Sequence, residues 1–68
     1  MPEKMGFEEY VFAKALIKAR KSKHLSQKAL AVKIGSTKNT VWCWEHGLRY
    51  PNITNMGKLE TTLGVRFK

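Results

Sequence analysis

Lys38, Asn39, Trp42 and Cys43 share one arc of a helix if the segment from Lys38 to Glu45 is helical. At about 100° per residue, Val41 and Trp44 point one way and those four fan across the opposite side. Such an arc is suited to recognition. An asparagine amide can bond adenine with two parallel hydrogen bonds, and a lysine can reach guanine acceptors or a phosphate. Trp42 offers an indole that can lie against a thymine methyl or a sugar. Tryptophan is also enriched at the energetic centre of protein interfaces, so the same residue suits a protein partner. Lys23 and Arg49 flank the segment as candidate clamps on a phosphate backbone.

Catalytic chemistry finds little to build on. His24 and His46 are isolated, with no acid placed in the sequence to orient either. Cys43 has no recognisable base, and only surrounding positive charge speaks for a redox role. It is also the single cysteine, which excludes an internal disulfide and leaves it without a partner at metal-ligand spacing. The chain is therefore expected to be a non-enzyme that needs neither metal nor cofactor.

Charge points to the partner. The formal net charge is +8 over 68 residues, unevenly spread. Residues 1–9 carry Lys4 against Glu3, Glu8 and Glu9, a net −2. Residues 10–50 carry nine Lys or Arg against Glu45 alone, a net +8. Residues 51–68 carry Lys58, Arg66 and Lys68 against Glu60, a net +2. A field of that sign over the segment holding the candidate arc attracts phosphate backbones. No apolar run approaches the roughly 20 residues needed to span a bilayer, and the start lacks a signal-peptide pattern. The expectation is a cytoplasmic protein, held on the nucleoid when bound to DNA, with no membrane contact.

The elements that must position the arc follow from caps and periodicity. Ser26 can accept a free amide from the turn that follows it, Leu30, Ala31 and Ile34 recur at helical spacing, and Gly35 suits a left-handed helix end. This predicts a helix from Gln27 to about Ile34. Thr37 restarts the pattern as a second cap, with Val41 and Trp44 as the buried pair to about Glu45, and Gly47 closes it. Two helices so closely joined cross steeply and need a small side chain between them, which Ala31 supplies. Residues 26–47 thus read as a helix-turn-helix, whose second helix is usually presented to the major groove.

On either side the reading is simpler. Residues 1–6 are expected to form a loose arm, with Gly6 as cap, and residues 7–68 one domain. From Phe7, the positions Phe7, Tyr10, Val11, Ala13, Leu16, Ile17 and Ala19 describe an amphipathic helix of about four turns, with Glu8 and Glu9 at its positive end. Leu25 is expected to pack inward just ahead of the Ser26 cap. Pro51 ends a loop, and Asn52 or Thr54 can cap a fourth helix with Ile53, Met56, Leu59, Thr62 and Leu63 inward and Gly64 as its end. Val65 and Phe67 would tuck against the bundle.

At Leu25-Ser26-Gln27, then Leu30-Ala31, Ile34-Gly35, Thr40-Val41, Trp44-Glu45, Gly47 and Pro51, the chain resembles the phage repressor and Cro family of helix-turn-helix domains. The likeness continues through Lys58-Leu59 and Leu63-Gly64-Val65, covering roughly residues 13–65 without a gap. It departs in three places: Ser36 occupies a turn position usually apolar in the family, Trp42 and Cys43 stand where polar or basic residues are preferred, and a full fifth helix has no room. The resemblance implies an all-α fold, a small four- to five-helix bundle. It places Lys38 and Asn39 at base-contacting positions and Gln27, Thr37 and Thr40 at phosphate-contacting ones. Free amides at the two helix starts would favour an anion there. It also implies a pair between Arg20 and Glu45, and charge logic agrees, since Glu45 is the lone acid of a basic segment. The function implied is sequence-specific binding of double-stranded operator DNA by a transcriptional regulator, as a homodimer on a pseudo-palindromic site. The alternative is a protein-binding modulator, an antirepressor that uses Trp42 and the helix-turn-helix surface against another repressor.

Overall fold

Side-chain caps fix where three of the four helices begin. Ser26, Thr37 and Asn52 each sit in extended backbone and accept the amide three residues on, that of Ala29, Thr40 and Asn55 respectively. Between the two candidates for the fourth cap, the structure selects Asn52, whose Oδ1 accepts at 2.8 Å. The computed structural model describes residues 7–67; the arm expected over residues 1–6, with its Gly6 cap, lies outside them. Helix α1 spans Phe7–Ser22, α2 Gln27–Ile34, α3 Lys38–Glu45 and α4 Ile53–Leu63. The fold is all-α, with no strand and no fifth helix among the described residues.

The four helices end alike. His24, Gly35, Gly47 and Gly64 all have positive φ, at 58°, 69°, 72° and 69°. The amides that follow, those of Leu25, Ser36, Leu48 and Val65, donate back to the carbonyls of Arg20, Ala31, Cys43 and Glu60. This six-to-one bond closes the last turn and reverses the chain in the fewest residues. Ser36, the polar residue in this turn, closes it, its amide donating to the Ala31 carbonyl at 2.8 Å.

α3 packs on both α1 and α2, and α4 on α2. Between them lie Phe12, Leu16 and Ala19 of α1, Leu30, Ala31 and Ile34 of α2, Val41 and Trp44 of α3, and Met56, Leu59 and Leu63 of α4. Ala31, the small side chain expected between α2 and α3, is buried. Leu25 packs against the edge of this core, as expected of a residue placed between two helix ends.

Four inward placements expected from sequence are corrected. Tyr10 and Val11 are exposed, and the α1 stripe turns instead on Phe12, which is 3% exposed. Phe12 meets Tyr50 at 5.2 Å between ring centroids and Phe67 at 5.0 Å edge-on, and these partners decide which face of α1 is buried. Ile53 is 85% exposed, because the first turn of α4 projects beyond the core that Met56 begins. In the tail only Phe67 tucks in, its amide donating to Glu60 Oε2 at 3.0 Å, while Val65 faces out. No helix among the described residues is long and apolar enough to cross a membrane.

Candidate nucleic-acid interface

One carboxylate ties α3 to both α1 and α2. Glu45, in the last turn of α3, is 6% exposed and accepts three hydrogen bonds. Arg20 Nε donates to Oε2 at 2.6 Å and Arg20 Nη2 to Oε1 at 3.1 Å. Gln27 Nε2 donates to Oε1 at 3.0 Å. The third arm of the guanidinium, Nη1, donates to the Leu25 carbonyl at 2.8 Å in the α1–α2 loop. End of α1, start of α2 and end of α3 therefore converge on one ion pair, which fixes the angle at which α3 leaves the bundle. The Arg20–Glu45 pair is as the resemblance implied. The addition of Gln27 was not legible, because nothing in the spacing of residues 27 and 45 announces a contact between two helices that cross.

With Val41 and Trp44 buried, Lys38 and Asn39 are exposed and Thr40 half-buried at the other end of α3. The Thr37 hydroxyl accepts the Thr40 amide at 3.2 Å and lies 2.9 Å from the Thr40 hydroxyl. That leaves the amides of Lys38 and Asn39 as the unpaired donors of the first turn, the arrangement that favours an anion. Gln27 spends one of its two N–H donors on Glu45, so any phosphate contact from it would use the other.

Trp42 is 41% exposed, and Cys43 beside it is half-buried. Trp42 has a partner that sequence reasoning left isolated. The His46 ring stacks on the indole, 3.8 Å between centroids and 21° between planes. His46 Nδ1 lies 2.8 Å from the Trp42 carbonyl, so it is this nitrogen that carries the proton and donates. An i,i+4 pairing of two rings was the signal available in the sequence.

The flanking cations divide. Arg49 is exposed in the loop after α3. Lys23 lies at the far end of α4, its Nζ 3.9 Å from the position a Cβ on Gly64 would take, and lines a depression with Leu25, Lys33 and Thr62. The structure thus brings Lys38, Asn39 and Trp42 onto one arc with Thr37 and Thr40 at its start, and sets Lys23 against α4. Among the described residues no group of three His, Cys, Asp or Glu could hold a metal ion.

A family model described as helix-turn-helix matches residues 16–68. Multiprotein-bridging factor 1 of Debaryomyces hansenii is 44% identical over 55 residues, covering 81% of this chain and 37% of that protein. Its counterpart of the same name in Candida albicans is 40% identical, covering 81% of this chain and 36% of its own. The chain thus spans little more than a third of the length of these relatives. Among solved structures, the restriction-modification controller protein C.AhdI from Aeromonas hydrophila superposes with a TM-score of 0.81 at 32% identity, covering 88% of this chain and 91% of that one. Hydroxypropylphosphonic acid epoxidase from S. wedmorenis gives a TM-score of 0.79 at 30% identity, covering 87% of this chain but only 31% of the enzyme.

Proposed function

The chain belongs to the helix-turn-helix family of phage repressor and Cro type, and from that premise we propose that it is a transcriptional regulator that binds double-stranded DNA in a sequence-specific way. In this reading α3 enters the major groove, Asn39 and Lys38 contact base edges, and the helix start at Thr37 sits on a phosphate. The observation that carries it is the outward arc of α3: Lys38, Asn39 and Trp42 exposed together over a helix start with free amides. The surrounding charge supports it, since residues 10–50 alone carry a net +8. Arg49 and Lys23 add non-specific attraction. A homodimer on a pseudo-palindromic operator is the arrangement such a domain serves, and its place of work is the cytoplasm, on the nucleoid. The protein is a binding module that uses no cofactor and catalyses no reaction; the similarity to the epoxidase involves under a third of that enzyme.

The test is fluorescence anisotropy of the full chain with labelled genomic duplexes over a range of salt. A preferred fragment is expected, with log affinity falling linearly against log salt by about 0.9 for each phosphate neutralised. A salt-insensitive affinity overturns the phosphate-dominated reading.

A second function has an observation of its own. The exposed indole of Trp42 suits a protein hot spot, and two relatives carry the name multiprotein-bridging factor 1. On this reading the domain modulates another regulator through α3, as an antirepressor does. It predicts a protein complex, measured by calorimetry with a co-encoded regulator, that Trp42→Ala abolishes while specific DNA binding is weak even in the wild type.

A further inference from the structure

An indole exposed on a recognition helix is ordinarily mobile, since it can rotate about two side-chain bonds. Trp42 is not free in this way. His46 covers one face of the indole at 3.8 Å, with the ring planes 21° apart. The histidine is itself anchored twice, once through its ring and once through its backbone. Its Nδ1–H donates to the Trp42 carbonyl at 2.8 Å, and its backbone amide donates to the same oxygen at 3.0 Å. The pair is closed on itself across one helical turn. A fold that needed only to end α3 would have had the backbone bonds of residues 46–48 without the ring.

We infer that His46 is a positioning residue that holds the uncovered face of Trp42 against the 5-methyl group of a thymine, making this stacked pair a determinant of base preference. The inference rests on the DNA-binding reading above. Its chemistry is that of the indole. Trp42 has one N–H donor and no acceptor, so its open face has nothing to offer the polar edges of guanine, cytosine or adenine. Laying that face over those atoms would strip their water without replacing it. The thymine methyl is the one apolar group the four base pairs display in the major groove. By restricting the indole before DNA arrives, His46 removes part of the ordering cost that binding would otherwise carry. The stack also explains how a tryptophan is tolerated where the family's usual polar residue would be hydrated: one face of the indole is already covered.

Removing a single methyl tests this. Preferred duplexes are first selected from a random pool with the full chain, then each thymine is replaced in turn by deoxyuridine, which lacks only the 5-methyl. One position is expected to lose affinity by about fourfold, the equivalent of one methyl-sized group returned to water. In Trp42→Ala that penalty disappears. In His46→Ala it shrinks, and acrylamide quenches the exposed indole more readily. His46→Tyr, which restores a stacking ring without the Nδ1 bond, recovers most of the penalty. Three results would overturn the inference: a penalty that survives in Trp42→Ala, one unchanged in His46→Ala, or none at any thymine of a well-bound site. If selection yields no preferred duplex at all, the DNA-binding reading fails at the first step and the inference with it, a result distinct from any of those three.

Discussion

Arg20 and Glu45 form a two-point ion pair, 2.6 Å through Nε and 3.1 Å through Nη2, across the boundary between α1 and α3. The side chains are 12% and 2% exposed, so neither charge is well hydrated if its partner is lost. Such pairs add little net stability against an apolar replacement, yet breaking one is costly, because the survivor stays buried and unpaired.

Removing Arg20 alone, as Arg20→Met, is therefore expected to cost about 3 kcal/mol. The double variant Arg20→Met/Glu45→Leu should cost clearly less than the two single changes together. Urea unfolding of the three variants gives the coupling energy directly. Additive costs would show that the pair is not the constraint the geometry makes it.

The helix ends give a prediction of opposite signs. His24 holds a left-handed conformation at φ 58°, where an L side chain is strained and glycine is not. His24→Gly is expected to stabilise the domain by about 1 kcal/mol, and Gly35→Ala, at φ 69°, to destabilise it by about 1–2 kcal/mol. A Cβ at Gly35 would meet nothing within 4 Å, so the loss there is one of backbone alone. Thermal melting of both variants should move in contrary directions.

The face of α1 that enters the core is checked by two neighbours. Phe12→Ala removes a ring that packs on Tyr50 and Phe67 and should cost about 3–5 kcal/mol. Val11→Ala, at a site 45% exposed, should change stability by no more than about 0.5 kcal/mol. The exposed Ile53 belongs with Val11: Ile53→Ala is expected to be as nearly neutral. A large loss at Val11 would restore the other phase of the helix.

For DNA binding, Asn39→Ala should relax preference at one base-pair position by about 1–3 kcal/mol. Lys38→Ala should weaken binding clearly. Arg49→Ala should weaken every sequence about equally and lower the salt slope by about one. Competition assays with single-base-pair variants of a selected site separate the three.

Ser26, Thr37, Asn52 and Gly64 announce their helix ends in sequence because a cap is a local transaction, completed within four residues. The same locality made the α2–α3 unit readable. What α1 buries was not, since Tyr10, Val11, Phe12 and Ala13 are all apolar and only the distant rings of Tyr50 and Phe67 choose among them. Gln27 is a similar case. Its type and position suit a helix start facing phosphate, and its bond to Glu45 depends on how two helices cross. The outward arc of α3 followed from phase alone, because Val41 and Trp44 leave it no other orientation, but the stacking of His46 on Trp42 went unread where the two were considered singly.

The polar contacts described on the outward side of α3 stay within that helix and its caps: Thr37 with Thr40, and His46 with Trp42. Among the described residues, the polar ties that set the helix in the bundle run through Glu45 to Arg20 and Gln27, beside the apolar packing of Val41 and Trp44. Folding and target choice are thereby assigned to separate sets of side chains. Substitutions at Lys38, Asn39 or Trp42 can accumulate with little effect on whether the domain folds, whereas positions 20, 27 and 45 cannot drift independently. The domain is in that sense re-addressable: a new operator can be acquired by exchanging a few exterior residues on an unchanged frame, and an engineer could do the same by grafting the outer arc of a relative's third helix.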